Sequence, residues 1–253
     1  MSGSIRIGTS GFVYRHWKGD FYPERLPTRS WFEYFAAHFD TVELNNTFYR
    51  LPLSQTFRNW RLRAPANFCF AVKFSRYGSH VKRLNTPTGT IRRFITRARH
   101  LGPHLGPILL QLPPHWDAQP DRLDAFLRST PDGYRWAVEF RDPRWLNDAI
   151  FRVLAQHQAA LCVHDLIPDH PRKITADWTY LRYHGQHYGG SYPSEYLQAE
   201  ARRIAASAAQ GLDVFAYFNN DIGGHAVRNA QELRMHLGLV GPQQAIGRPR
   251  EVA

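Results

Sequence analysis

The chain has 253 residues, of which 43% are hydrophobic, and its 32 Lys and Arg against 21 Asp and Glu give a formal net charge of +11. This length suits one α/β barrel, and no apolar stretch approaches the roughly 18 residues that a membrane span requires. The charge favours anionic partners such as nucleic acid or phosphorylated metabolites, although no run of five basic residues marks a single patch.

Eight short apolar runs, rich in β-branched and aromatic residues, predict eight strands. They span residues 5–10, 40–45, 68–74, 107–112, 135–140, 161–165, 178–184 and 213–219. Apolar residues at helical spacing lie between most of these runs. They predict helices over 31–39, 91–98, 120–127, 147–154, 194–210 and 226–237. Asn147 and Ser194 are the predicted N-caps of two of them, and Gly211 is the predicted end of the helix that Ser194 begins.

Strands that alternate with helices favour parallel pairing through right-handed crossovers, and eight such units close into a (β/α)₈ TIM barrel. An open doubly wound sheet is the alternative, but Gly8-Thr9-Ser10-Gly11 lacks the third glycine of its phosphate-binding turn. The two prolines within 165–176 predict a loop, so we expect one outer helix to be missing after strand six. The predicted barrel is a single domain over 1–240, followed by a flexible tail over 241–253.

Cysteine usage predicts a reducing environment. Cys69 and Cys162 are the two cysteines, and both lie in apolar strand-like runs, where a thiol behaves as a small buried hydrophobe. Residues 1–4, which precede the first strand, are too few for a signal peptide. We therefore expect a cytoplasmic protein without a membrane partner.

Polar side chains recur near the carboxyl ends of the predicted strands. Alternation along barrel strands predicts that the following residues face inward: Thr41, Glu43, Asn45, Ala71, Lys73, Ser75, Gln111, Ala137, Glu139, Arg141, Arg182, His184, Tyr217 and Asn219. Active sites of this fold lie at the carboxyl end, and ions there are costly unless they pair or meet a ligand. The pattern therefore predicts a ligand-binding mouth, and the alternative is a set of ion pairs that satisfy one another.

Several short blocks between Ile5 and about Leu237 resemble a known family. They are 7–12 (IGTSGF), 17–19 (WKG), 21–23 (FYP), 42–49 (VELNNTFY), 70–73 (FAVK), 110–114 (LQLPP), 139–141 (EFR) with Trp145, 183–185 (YHG) and 217–220 (YFNN). Together they are similar to the YecE-like family (domain of unknown function 72). The resemblance implies a TIM barrel and supplies no activity.

The inward-facing set predicts an enzyme that performs acid/base chemistry on an anionic, phosphate-bearing small substrate. The predicted catalytic residues are Glu43, Glu139, His184 and Lys73. The predicted substrate-binding residues are Arg141, Arg182, Asn45, Gln111, Tyr217, Asn219 and Trp145, because Arg suits bidentate binding of phosphate or carboxylate. No cofactor is assigned, and a divalent metal stays open.

Other mechanisms remain open at this stage. A glycosidase would use Glu43 and Glu139 as its carboxylate pair, with stacking by Tyr14, Trp17, Tyr49 and Trp145. A metal-dependent phosphoesterase or isomerase would draw its ligands from His164, Asp165, His184, His225 and Glu139, although their spacing is not diagnostic.

Two further hypotheses concern single features of the chain. Lys73 could form a Schiff base with a carbonyl substrate, and the glycine-rich segment 219–225 could hold phosphate at a helix N-terminus. The charge also keeps a nucleic-acid-binding protein open, with bases stacked by aromatic residues near Arg76, His80, Lys82 and Arg83.

Overall fold

The computed structural model describes residues 2–85, 87–186 and 189–240. The predicted tail over 241–253 lies outside the described residues. Eight strands are β1 (Ile5–Ser10), β2 (Thr41–Leu44), β3 (Cys69–Lys73), β4 (Leu105–Gln111), β5 (Trp136–Glu139), β6 (Ala160–His164), β7 (Trp178–Tyr183) and β8 (Asp213–Phe218). Each falls on one of the eight predicted runs, because short apolar, β-branched runs suit strands that are buried on both faces.

The strands form a closed barrel in the order β1-β2-β3-β4-β5-β6-β7-β8. Register is described for five strand pairs, and all five are parallel. They are β1–β8, β3–β4, β4–β5, β5–β6 and β6–β7. The prediction of a (β/α)₈ TIM barrel is confirmed. Since all strands of a parallel barrel point the same way, their carboxyl ends meet at one face.

The α-helices are α1 (Trp31–His38), α2 (Asn46–Tyr49), α3 (Ser54–Arg63), α4 (Pro87–Ala98), α5 (Pro120–Arg128), α6 (Asp148–Gln156), α7 (Ser194–Ala209) and α8 (His225–His236). The six predicted helices are present, whereas α2 and α3 were not predicted. In α3 the buried side chain is Phe57 alone, so this helix lacks an apolar stripe that a sequence pattern could detect.

The loop between β6 and β7 behaves as the sequence predicts. The sequence predicts that no outer helix follows strand six, and the described residues between His164 and Trp178 contain none. Both cysteines are buried free thiols, as predicted. Among the described residues, no helix is long and apolar enough to cross a membrane.

The sequence predicts two helix N-caps, and the structure confirms one of them. Asn147 is the N-cap of α6, and its side chain accepts hydrogen bonds from the backbone N–H groups of Ala149 and Ile150 at 3.1 and 3.2 Å. The cap predicted at Ser194 is wrong. Ser194 is already helical, and Pro193 occupies the N-cap position without a side-chain hydrogen bond, because its ring fixes the φ that leads into the helix.

The chain divides into two compact units. The first comprises residues 1–42 with the chain from Tyr183 onward, and its core includes the stacked rings of Tyr22 and Trp31, 4.5 Å apart. The second comprises residues 43–182, and in it Phe74 packs against Phe126 and Trp136 beneath the helices. Most of the polar strand-end residues belong to the second unit.

Two glycines should respond in opposite ways to an added methyl group. A Cβ on Gly8 of β1 would lie 2.2 Å from the carbonyl oxygen of Thr41, so Gly8→Ala should lower the free energy of unfolding by about 1–3 kcal/mol. Gly89 of α4 has nothing within 4 Å of that position, so Gly89→Ala should raise it by about 0.5–1 kcal/mol. Urea unfolding measures both values, and an unchanged midpoint for Gly8→Ala would contradict the close approach of these two strands.

Candidate functional site

Charged and polar side chains stand at the carboxyl ends of neighbouring strands in the second unit. Lys73, Gln111 and Glu139 are the last residues of β3, β4 and β5, while Glu43 and Arg182 are next to last in β2 and β7. In the strand register Gln111 lies opposite Glu139. The strand order therefore gathers residues that are far apart in the sequence, as the alternation pattern predicts.

Arg182 is held between two carboxylates. Its Nη2 lies 2.8 Å from Glu43 Oε1, and its Nη1 lies 2.5 Å from Glu139 Oε2. The Arg182 side chain is 1% exposed, and both glutamates are 0% exposed. Burial alone lowers the pKa of Arg182, but the carboxylates of Glu139 and Glu43 outweigh it and hold that pKa well above its ordinary value. The guanidinium is therefore charged at any working pH.

The remaining carboxylate oxygens also accept hydrogen bonds. The Tyr180 hydroxyl donates to Glu43 Oε2 at 2.6 Å, and Arg141 Nε donates to Glu139 Oε1. Arg141 Nη2 reaches Gln111 Oε1 at 3.4 Å. Each of the four carboxylate oxygens thus has a donor. A glycosidase needs carboxyl groups that can reach a sugar, so this arrangement favours self-satisfied ion pairs for the two glutamates.

Lys73 differs from the other charged groups at these strand ends. Its side chain is buried, and no hydrogen bond or ion pair joins its Nζ to the residues that the structure describes. The amine lies 4.5 Å from the centre of the Phe48 ring. Burial lowers the pKa of Lys73 to about 8, helped by Arg182 and Arg141 and opposed by Glu139 and Glu43. A substantial neutral fraction is therefore available just above neutral pH.

His80 contacts the same Phe48 ring as Lys73, and the sequence names it only in the nucleic-acid hypothesis, not among the predicted catalytic or substrate-binding residues. It belongs to a π-helical turn, Tyr77–Val81, and its ring centre is 5.0 Å from that of Phe48. Burial lowers the pKa of His80 to about 4, with further lowering by Lys73, Arg76 and Arg141. The imidazole is neutral at pH 7. Short π-helical segments often mark functional sites, but they carry no sequence period that would reveal them.

Two other predicted residues of the second unit lie outside this set of ion pairs. Asn45 is the N-cap residue of α2, and its carbonyl accepts from the Phe48 N–H at 3.1 Å. Trp145 is 0% exposed, its Nε1 donates to the Trp116 carbonyl at 2.6 Å, and its ring stacks on Phe140. Trp145 therefore packs within its loop, and these contacts lend no support to its predicted role in substrate binding.

Three predicted residues belong to the first unit. His184 is buried immediately after β7, and the Asn219 backbone N–H donates to the Tyr183 carbonyl at 2.7 Å. Tyr217 is 0% exposed, and its hydroxyl shares a 2.7 Å hydrogen bond with Thr41 Oγ1. Their predicted contacts with substrate stay predictions.

The segment 219–225 already has an anion of the chain beside it. Asp20 Oδ2 lies 2.0 Å from the point where a Cβ on Gly224 would stand, next to the first residue of α8. Arg228 binds the same carboxylate at 2.5 Å. A phosphate at this helix N-terminus would have to displace Asp20, so the geometry does not favour the predicted phosphate site.

The histidines and carboxylates named as possible metal ligands do not form a metal-binding group in the described chain. Within the described ranges, no three His, Cys, Asp or Glu side chains come together as metal ligands. His164 is engaged at both ring nitrogens, since Nε2 contacts the Phe140 carbonyl at 2.8 Å and Nδ1 accepts from the Leu166 N–H at 3.2 Å.

The Cys162 thiol lies 4.0 Å from Glu139, and burial raises the pKa of this thiol well above its ordinary value.

A known protein family matches nearly the whole sequence. The model described as "Protein of unknown function DUF72" matches residues 6–251. The chain belongs to this family. The predicted resemblance is therefore confirmed over nearly the whole chain, and DUF72 membership by itself assigns no reaction.

Two curated proteins and two solved structures show the range of the DUF72 similarity. The UPF0759 protein YecE of Escherichia coli is 35% identical over 116 residues, which span 45% of this chain and 42% of YecE. The UPF0759 protein YunF of Bacillus subtilis is 23% identical over 90% of this chain and 93% of its own. A DUF72 structure from Thermotoga maritima has a TM-score of 0.85 at 27% identity, covering 93% and 99% of the two chains. Another from Enterococcus faecalis has a TM-score of 0.80 at 20% identity, covering 94% and 96%.

Removing one carboxylate from Arg182 should be costly. Glu139→Gln removes one of the two carboxylates that enclose the buried guanidinium, so we expect the free energy of unfolding to fall by about 3–5 kcal/mol. Glu195→Gln, at an exposed position in the first turn of α7, is the control and should change stability by less than about 0.5 kcal/mol. Equal effects of the two substitutions in urea unfolding would show that the buried pair does not support the fold.

Removing the Lys73 amine should stabilise the protein in a pH-dependent way. The pKa of Lys73 is about 8 in the folded chain and 10.5 when unperturbed, so burying the ammonium costs stability below pH 8. This cost disappears as the pH rises from about 8 to 10.5, because the folded protein then holds the neutral amine. Lys73→Met should therefore raise the free energy of unfolding by roughly 2 kcal/mol at pH 7 and by far less near pH 10.

The comparison variant is Lys173→Met, which removes an exposed lysine. It should leave the free energy of unfolding unchanged at both pH values. A destabilised Lys73→Met protein at pH 7 would mean that Lys73 acts as a structural partner of the glutamates instead.

Proposed function

We propose that this DUF72 protein is an enzyme that performs acid/base chemistry on an anionic substrate at the carboxyl ends of β2, β3, β5 and β7. The observation that carries the proposal is Lys73, whose side chain is largely buried and whose amine has no hydrogen-bond or ion-pair partner in the described chain. Such a group costs stability, and groups of this kind collect at sites where they react. Its pKa of about 8 suits proton transfer near neutral pH.

The charged neighbours of Lys73 divide into two roles. Arg182 is enclosed by Glu43 and Glu139, so it holds the two carboxylates in place and is not available to a ligand. Arg141 also binds Glu139, but its side chain is 20% exposed, so solvent and a ligand can reach it. We assign Arg141 to binding the anionic group and Lys73 to exchanging a proton with the bound substrate.

The net charge of the site supports an anionic substrate. With both glutamates ionised and three basic side chains present, the set carries one excess positive charge whenever Lys73 is protonated. A bound anion would offset it, and would also raise the pKa of Lys73 by favouring the ammonium. A neutral sugar would do neither, which separates this proposal from glycoside hydrolysis.

Turnover of a pooled set of anionic metabolites tests the proposal. Sugar phosphates, carboxylates and nucleotides are incubated with the protein, and mass spectrometry follows which compound disappears. Wild type and Lys173→Met should consume the same anion, whereas Lys73→Met should be at least about 100-fold slower, as expected for loss of a general acid or base. Arg141→Ala should raise KM more than it lowers kcat, since it removes binding.

The pH profile and a trapping experiment then examine the role of the amine. If Lys73 is the base, kcat/KM should rise with pH and level off above about 8, where the amine is neutral. A borohydride-trapped mass increase on the peptide that contains Lys73 would replace proton transfer by a Schiff base. Wild-type turnover by Lys73→Met would overturn both.

A further inference from the structure

The positive charge of the chain is concentrated in one stretch of the second unit. Residues 44–116 contain none of the 21 Asp and Glu but hold twelve of the 32 Lys and Arg, which leaves 20 basic and 21 acidic residues in the rest of the chain. The net charge of +11 therefore arises from this stretch. It covers α2, α3, β3, the π-helical turn and α4. A surface of one sign attracts polyanions and raises their local concentration.

A groove opens within this basic stretch. It encloses about 570 Å³ and is lined by Tyr49, Tyr77, Lys82 and Arg93, together with Phe48 and other residues of α2 and α4. No acidic residue lines it. Tyr49 is 79% exposed and Tyr77 is 53% exposed, so two aromatic rings present large open surfaces beside the groove. Exposed aromatic rings beside cations are the combination that binds unpaired bases and their phosphates.

The cations of the groove are available to a ligand. Lys82 and Arg93 form no ion pair with any residue in the described ranges, and Lys82 Nζ lies 5.5 Å from the centre of the Tyr77 ring. Elsewhere on the chain, basic side chains such as Arg144 and Arg228 are paired with carboxylates. Two unpaired cations next to two open rings therefore form a site that attracts anions without internal competition.

The backbone holds these side chains in a defined arrangement. A Cβ on Gly78 would lie 2.5 Å from the ring of Phe74, the residue after β3, so the π-helical turn packs closely on the end of this strand. Two residues beyond the turn, Arg83 and its neighbour Leu84 adopt φ values of 44° and 64°, which non-glycine residues rarely occupy. Strained backbone of this kind persists where the surrounding structure enforces it, often at binding sites.

Phe48 connects the groove with the proposed reactive amine. Its ring lines the groove and is also the ring that lies 4.5 Å from Lys73 Nζ. His80, neutral at pH 7, contacts the same ring. Phe48 therefore contacts both the groove and the Lys73 amine.

We infer that this groove binds single-stranded nucleic acid, with bases stacked on Tyr49 and Tyr77 and phosphates on Lys82 and Arg93. The inference deepens the proposed function and rests on it only in taking such a strand as the anionic substrate of Lys73. A tyrosine face stacks on an unpaired base, and a cavity of this size admits a nucleotide unit and not a duplex. Residues 44–116, which contain the groove, hold ten further basic residues and no acidic one.

Fluorescence anisotropy with labelled oligonucleotides of about 12 units, within the range that single-strand binders cover, tests the inference. Single strands should bind more tightly than the matching duplex and than a free mononucleotide. Two phosphate contacts in the groove predict a loss of affinity of about sevenfold or more between 50 and 200 mM salt. Equal affinity for strand and duplex, or for strand and mononucleotide, would overturn the single-strand inference.

Matched variants locate the binding. Tyr77→Ala should weaken strand binding by about tenfold, whereas Tyr77→Phe, which keeps the ring, should retain it. Arg93→Gln should weaken binding and flatten the salt dependence, while Arg92→Gln removes the same charge from an exposed neighbour in α4 that does not line the groove. Equal losses for Arg93→Gln and Arg92→Gln would show diffuse attraction to charge and refute the groove as the site.

These experiments distinguish a failure of the strand-binding inference from a failure of the proposed chemistry at Lys73. The strand binding that remains in Lys73→Met should still depend on Tyr77 and Arg93, because Lys73 does not line the groove. Strand binding that maps to the groove, with no change of the oligonucleotide by wild type, would confirm the inference and reject the strand as substrate. An oligonucleotide that wild type alters without needing Tyr77 or Arg93 would support the chemistry and contradict the groove.

Discussion

The guanidinium of Arg182, enclosed by Glu43 and Glu139, is the interaction on which the candidate site depends. Two buried carboxylates without their cation would each carry a large desolvation cost, and the cation alone would carry a similar one. The three strands that hold these residues must therefore keep their register for any one charge to be tolerated. Tyr180 and Arg141 complete the network, so that every carboxylate oxygen has a donor. Such a network fixes positions to within hydrogen-bond tolerance, which is what a reactive neighbour requires.

Lys73 is the neighbour that this rigid network surrounds without binding. Its amine receives competing influences, since burial and two arginines disfavour the ammonium while two glutamates favour it. The balance leaves the pKa of Lys73 near the physiological range, where small changes in bound charge shift the fraction of neutral amine. Burying such a group lowers the free energy of unfolding, and the group is then available for proton transfer. That trade is typical of active sites and is otherwise hard to explain on structural grounds.

Charge distribution links this site to its surroundings. In the set of charged residues around Arg182, the two glutamates offset most of the positive charge. Residues 44–116, which contain the groove, include no acidic residue that could do the same. Arg97, in the same helix as Arg93, donates to the carbonyls of Leu51 and Pro52, so some of the basic residues have a structural role. Lys82 and Arg93 have no such partner in the described chain. The DUF72 relatives share the fold, which does not by itself indicate a ligand. The two cations without an ion-pair partner in the described chain, next to two exposed tyrosine rings, lead us to expect a nucleic-acid ligand.

Sequence alone determined the barrel, because each strand is a short, strongly apolar run and the alternation of two residues fixes which side chains face inward. It thereby identified Glu43, Lys73, Glu139 and Arg182 as a common set. It could not show which charges pair, since residues 43, 139 and 182 meet only through strand order and register. For the same reason it could not show that Trp145 and Tyr217, both predicted to bind substrate, are buried and hydrogen-bonded to Trp116 and Thr41. Only the tertiary structure showed that the two glutamates are paired, whereas the Lys73 amine has no hydrogen-bond or ion-pair partner in the described chain. Such pairing depends on neighbours that a local pattern does not contain.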